Sequence, residues 1–152
     1  MKFTRYQKLV RLSGIYDLAV TLPFALPLVS VWMIGAFASA HGYFGLSGEV
    51  PSFAGSHMLF VNLLGCIVTA WSVLRILKPD PVFGLFDAFG RFSFASWQLY
   101  YLLTDQVTPL LWALFVPELL WGVAQAYGYW LIRQRQNNQL ATCGLANWLV
   151  AI

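Results

Sequence analysis

Charge is what this chain has least of. Only 10% of its 152 residues are Asp, Glu, Lys or Arg, against 59% hydrophobic and 17% aromatic. A surface that faces water takes roughly 25% charged residues. The composition therefore excludes an ordinary soluble domain and points to lipid as the solvent. Acids are scarcer than bases, six against nine. The bases stand at the ends of apolar runs instead of along one face, which argues against a nucleic-acid partner. Cysteine is limited to Cys66 and Cys143, without a CxxC pair or a neighbouring histidine. That excludes a disulfide framework and the usual zinc sites, and both read as small packing residues. No phosphate loop, Ser-His-Asp set or metal-ligand spacing occurs, so the sequence indicates no cofactor, no metal and no named reaction. Neither an internal repeat nor a low-complexity segment is present.

What the chain does have is long apolar runs. Crossing the hydrocarbon core takes about 20 mostly apolar helical residues, because every backbone polar group must pair within the segment. Four stretches qualify, at 12–37, 56–77, 81–103 and 108–132, and they predict an all-α integral membrane protein built as a four-helix transmembrane bundle. The segment from His41-Gly42 to Gly55, then Lys78-Pro79-Asp80-Pro81, then Asp105 to Pro109 separate them. Pro23, Pro27 and Pro117 fall inside spans and predict kinks there. Residues 1–135 form the bundle in this reading. The tail, 136–152, starts polar and ends apolar, and is expected in the cytoplasm or along its membrane interface.

Orientation follows from the basic residues. Cytoplasmic connections are enriched in Lys and Arg. With the amino terminus inside, all nine basic residues fall on or near the cytoplasmic side. The outer connections, about 38–55 and 104–107, contain none, so both termini are predicted cytoplasmic, in what reads as a bacterial inner membrane. A cleavable signal peptide competes for the first run, since Ala38-Ser39-Ala40 resembles a cleavage site. The run exceeds the roughly 7–15 residues of a signal core and carries Asp17, which favours a retained span.

Ionisable groups in hydrocarbon cost about 2.5–3.5 kcal/mol each on insertion scales and so face the bundle interior. Asp87, Arg91, Phe94, Gln98, Tyr101 and Asp105 follow at alternating steps of four and three, which keeps them on one helix face. Glu118, Gly122, Gln125 and Tyr129 repeat the pattern in the fourth span. Asn62, Cys66, Thr69 and Ser72 or Val73 form a milder stripe in the second, and the first offers Asp17, Thr21 and Phe24. Four polar stripes predict a polar interior, divided by depth. Asp17, Asp87 and Arg91 form an inner ion cluster, either a lock on helix packing or a headgroup site using Arg91. Glu118, Gln98, Asn62, Tyr101, Gln125 and His57 are the ligand-binding or proton-carrying candidates further out. Glu118 has no basic residue at similar depth in this reading. It is then either a neutral group bonded to Gln98 or Asn62, or a carboxylate open to ligand or protons. A metal site from His41, His57 and Glu49 lacks any recognised spacing.

The architecture resembles small four-helix membrane proteins of the DoxX-like kind. The eight-residue run Asp17-Leu-Ala-Val-Thr-Leu-Pro-Phe24 is similar to the carboxylate-plus-Leu-Pro-Phe element of the emopamil-binding and sigma-2 receptor group. That resemblance implies a lipid- or sterol-like ligand in the bundle. The function expected first is non-enzymatic: a bundle that binds a hydrophobic, lipid-like ligand or serves as accessory subunit of a larger membrane complex. A small proton-coupled transporter working as a homodimer through Glu118 or Asp17 comes second. A membrane enzyme on lipid-like substrates, with Glu118 and His57 as acid–base pair, comes third.

Overall fold

The structure is a computed structural model that describes residues 3–104 and 107–150, with side chains described as far as residue 139. Five α-helices and one 3-10 turn make up its regular structure, and no strand occurs among the described residues. The helices are α1 (Phe3–Ala25), α2 (Pro27–Phe44), α3 (Gly55–Leu77), α4 (Pro81–Leu103) and α5 (Trp112–Val150), with the 3-10 turn at Pro109–Leu111. Asp105, the last member of the third predicted stripe, lies outside the described residues.

The first predicted span is not one kinked helix. It is two, meeting at an angle of 102°. Pro27 has no N–H and disfavours helical backbone in the residue before it. Leu26 accordingly sits extended at φ −107°, ψ 112°, and Pro27 opens α2 as its first helical residue. Pro23 and Pro117, by contrast, stay inside α1 and α5. A break of this kind leaves carbonyls at the end of α1 without helical partners. Asn62 of α3 fills part of that need, its Nδ2 donating to Phe24 O and to Ser30 Oγ, each at 2.8 Å.

Helices α1 and α3 run antiparallel at very close range. A Cβ on Gly65 would lie 2.5 Å from Ala25 N, and one on Gly14 would lie 3.0 Å from Ser72 O. Small residues at such crossings let two backbones approach where water supplies no driving force. Helices α4 and α5 form a second pair, in which Gly122 faces Arg91 and Phe92. Tyr6 joins the pairs: it lies against Gly84 of α4 and donates its hydroxyl to Gln125 O of α5 at 3.0 Å. Val10 and Ile132 pack beside it.

The connections follow from their residues. Asp80 caps α4 by accepting from Val82 N at 2.8 Å, ahead of Pro81 at the first helical position. Gly45 ends α2 at φ 56°, a left-handed cap that glycine adopts without steric cost. His41 Nδ1 lies 2.9 Å from Thr108 Oγ1, and Glu49 O accepts from Thr108 N at 3.2 Å, so the 45–54 connection rests on the start of the last helical segment. By length and hydropathy, Gly55–Leu77 and Pro109–Gln139 are apolar enough to cross a membrane, and the bent α1–α2 pair would be a third span. Helix α4 is as long as α3, but Asp87, Arg91 and Gln98 break its apolar run and it is not among the helices apolar enough to cross. α5 runs on through Gln136 to Val150.

Candidate functional site

Four helices bring five ionisable side chains to one buried point. Asp17 comes from α1, Arg75 from α3, Asp87 and Arg91 from α4, and Glu118 from α5. Arg91 and Asp87 stand one turn apart, Nε to Oδ2, at 2.9 Å. The same guanidinium sends Nη2 to Asp17 Oδ2 at 2.5 Å and Nη1 to Glu118 Oε2 at 3.0 Å. Arg75 sends Nη1 to Asp87 Oδ2 at 2.5 Å and pairs through Nη2 with Asp17. Each aspartate therefore holds two guanidiniums, and Glu118 holds one.

Neutral groups complete the shell. Trp71 Nε1 donates to Asp87 Oδ1 at 2.9 Å, and its ring lies 5.7 Å from the Arg75 guanidinium carbon. Arg75 Nη1 also donates to Ser13 Oγ at 3.0 Å. Gln125 Nε2 donates to the same oxygen at 2.6 Å. Buried charges are tolerable only when paired and hydrogen-bonded. Here nearly every polar atom is spent that way; Arg75 Nε and Gln125 Oε1 are buried without a partner.

The structure thus joins the three residues of the predicted inner cluster and adds two. Arg75 is one of the nine basic residues that the orientation reading expects on or near the cytoplasmic side, at the end of the second predicted span. It is fully buried instead, at 0% exposure. Its position carried a signal, since it continues the Asn62–Thr69–Ser72 stripe by one further step of three. Glu118 corrects a second expectation. It does have a basic neighbour, because Arg91 stands on a helix packed against α5 and a guanidinium reaches well beyond its own backbone level. The expected bonds from Glu118 to Gln98 or Asn62 do not form. Glu118 pairs with Arg91, Asn62 serves the α1–α2 break, and Gln98 Oε1 is buried without a partner.

Further out, the candidates do not converge. Tyr101 is 42% exposed and Phe94 48%, whereas Ala95 and Leu102 are buried. The cause is periodicity. A four-three repeat averages 3.5 residues per turn and drifts about 20° per heptad around a straight 3.6-residue helix. Asp87 already stands at the edge of the buried face of α4, so Phe94, one heptad on, and Tyr101, two heptads on, fall outside it. His57 is exposed and accepts from Ala54 N at 3.3 Å. Cys66 is exposed, with its sulfur 4.0 Å from Ala25 O, and Cys143 lies outside the described side chains. Among the described residues no group of His, Cys, Asp and Glu is placed to hold a metal ion. In the cluster itself, the two guanidiniums occupy the space between the carboxylates.

Chemically, this arrangement holds charge in place. Arg91 presents each of its three nitrogens to a different carboxylate, so its charge is already matched by acids of the protein itself. Glu118 is the most open member, its side chain 21% exposed against 4% for Arg91 and 0% for Arg75. No protein-family model, no curated protein and no solved structure matches the chain.

Proposed function

We propose that this protein is a four-span membrane bundle with both termini in the cytoplasm of a bacterial inner membrane, serving as a non-enzymatic binding or accessory subunit. The observation that carries this reading is the contrast between a polar interior consumed by its own ion pairs and an outer surface that is strongly apolar. Leu28 is 88% exposed, Leu77 72% and Phe89 72%, on three different helices. Side chains of this kind are unfavourable in water at roughly 25 cal/mol per Å² of apolar area. They suit acyl chains, a lipid-like ligand or the helices of a larger membrane complex. Pairing also makes α4 compatible with a bilayer, because Asp87 and Arg91 enter it as members of a bonded cluster and not as isolated charges. Copurification in mild detergent followed by mass spectrometry tests the reading. Recovery of the chain in the soluble fraction after alkaline extraction of membranes would refute it.

A second reading, a proton-coupled transporter acting as a homodimer, draws on one feature. Glu118 sits at the rim of the cluster, held by a single guanidinium and partly open. Proton-driven flux in reconstituted vesicles that disappears in Glu118→Gln would favour transport over the accessory role.

A further inference from the structure

The distribution of charges outside the cluster is lopsided. Arg5, Lys8 and Arg11 on α1, Lys78 after α3, and Arg133 and Arg135 on α5 are all exposed. The fold gathers them at one end. Tyr6 and Tyr129 pack with ring centroids 6.4 Å apart, which sets the start of α1 beside the 129–135 stretch of α5. Arg11 Nε donates to Ile76 O at 3.1 Å, which ties α1 to the end of α3. Among the acids of the described residues, only Asp80 stands at this end, and its Oδ1 is engaged by Val82 N. The five ion pairs found among the described residues all belong to the buried cluster, so none of these six cations takes part in one.

Each cationic group leads into apolar surface along its own helix. On α1, Arg5 and Lys8 are followed at helical spacing by Leu12, Ile15 and Leu22, exposed at 55%, 47% and 42%. On α5, Tyr127 and Trp130 stack at 5.8 Å just before Arg133, an aromatic step of the kind found at headgroup depth. Cation then apolar flank, with an aromatic step between them on α5, matches a phospholipid's own order of anionic headgroup, interface and acyl chain.

We infer that this end of the bundle is a docking surface for the anionic headgroups of membrane phospholipids, with their acyl chains lying along α1 and α5. The inference rests on the membrane reading above, and it moves headgroup recognition away from Arg91, which already faces three carboxylates, to cations that take part in no ion pair among the described residues. Each cation near an anionic surface strengthens association by roughly fivefold, and the attraction fades as salt shortens the screening length.

The test uses the full-length chain in vesicles of phosphatidylcholine mixed with phosphatidylglycerol. Annular lipid is measured by mass spectrometry after gentle extraction, for the native chain and for Arg5→Gln/Lys8→Gln/Arg133→Gln/Arg135→Gln. The native chain should enrich phosphatidylglycerol by tenfold or more, and high salt should abolish the enrichment. The variant should lose it while keeping its helical content and melting temperature. Equal enrichment in both chains, or enrichment that salt leaves unchanged, overturns the proposal. So does loss of an acidic protein partner in the variant with lipid selection unaltered. Failure of the native chain to enter pure phosphatidylcholine vesicles would sink the membrane reading. Entry without preference for phosphatidylglycerol sinks only the headgroup surface.

Discussion

Arg91 and Asp17 lie 74 positions apart in sequence and meet at 2.5 Å in the interior, Nη2 to Oδ2. That contact ties α1 to α4, and through the other two nitrogens of the same guanidinium the tie extends to Asp87 and to Glu118 on α5. Arg91→Ala should therefore lower thermal stability far more than Arg135→Ala. Removing one partner of a buried pair costs about 3–5 kcal/mol, because the other charge is left unpaired. Equal melting temperatures for the two variants would mean that Arg91 is solvated.

Arg75→Lys should destabilise almost as much as Arg75→Ala. A planar guanidinium spans Asp17, Asp87 and Ser13 at once, and an ammonium is a single point of charge that cannot reproduce that fork. Melting of both variants in detergent checks this, and a lysine chain as stable as the native one would contradict it.

The carboxylates should differ in importance. Asp87 receives Trp71, Arg75 and Arg91, whereas Glu118 receives Arg91 alone and is partly open. Glu118→Gln keeps the side chain's shape and an oxygen that can accept from Arg91, whose charge stays matched by Asp17 and Asp87, and should shift stability by about 1 kcal/mol. Asp87→Asn should cost several times more. A reversed order in denaturation experiments would place the weight of the cluster on α5.

Two glycine substitutions test the α1–α2 break. Gly65→Ala puts a methyl group 2.5 Å from Ala25 N and Phe24 C, backbone atoms with no room to yield, and overpacking of this kind costs about 1–3 kcal/mol or more. Gly35→Ala, with nothing within 4 Å of its Cβ, should be neutral or gain up to about 1 kcal/mol of helix stability. If Gly65→Ala melts like the native chain, α1 does not end against α3.

Topology is checked by labelling in intact cells, in a background with Cys66 and Cys143 replaced by serine. A cysteine at Ser52 should react with an impermeant thiol reagent added outside, and one at Asn137 should not. Labelling at Asn137 would rule out the arrangement with both ends in the cytoplasm.

Much of this protein was determined by local sequence alone. Apolar runs and the Pro79-Asp80-Pro81 break set α3 and α4 to within a residue or two of their predicted limits, and the four-residue spacing of Asp87 and Arg91 made their pairing a property of one helix. Tertiary structure decided what helical period cannot. Pro27 looked like a kink, and whether it kinks or breaks a helix depends on a group that can serve the freed carbonyls; Asn62 of α3 is that group. Arg75 looked like a boundary charge, and the close crossing at Gly14 is what brings it under Ser13 and beside Asp17. Glu118 looked unpaired because depth was judged along its own helix, while its partner arrives from a neighbouring one. Spacing along a chain records which residues share a face. Which faces meet, and how closely, depends on backbone approach and side-chain reach in three dimensions.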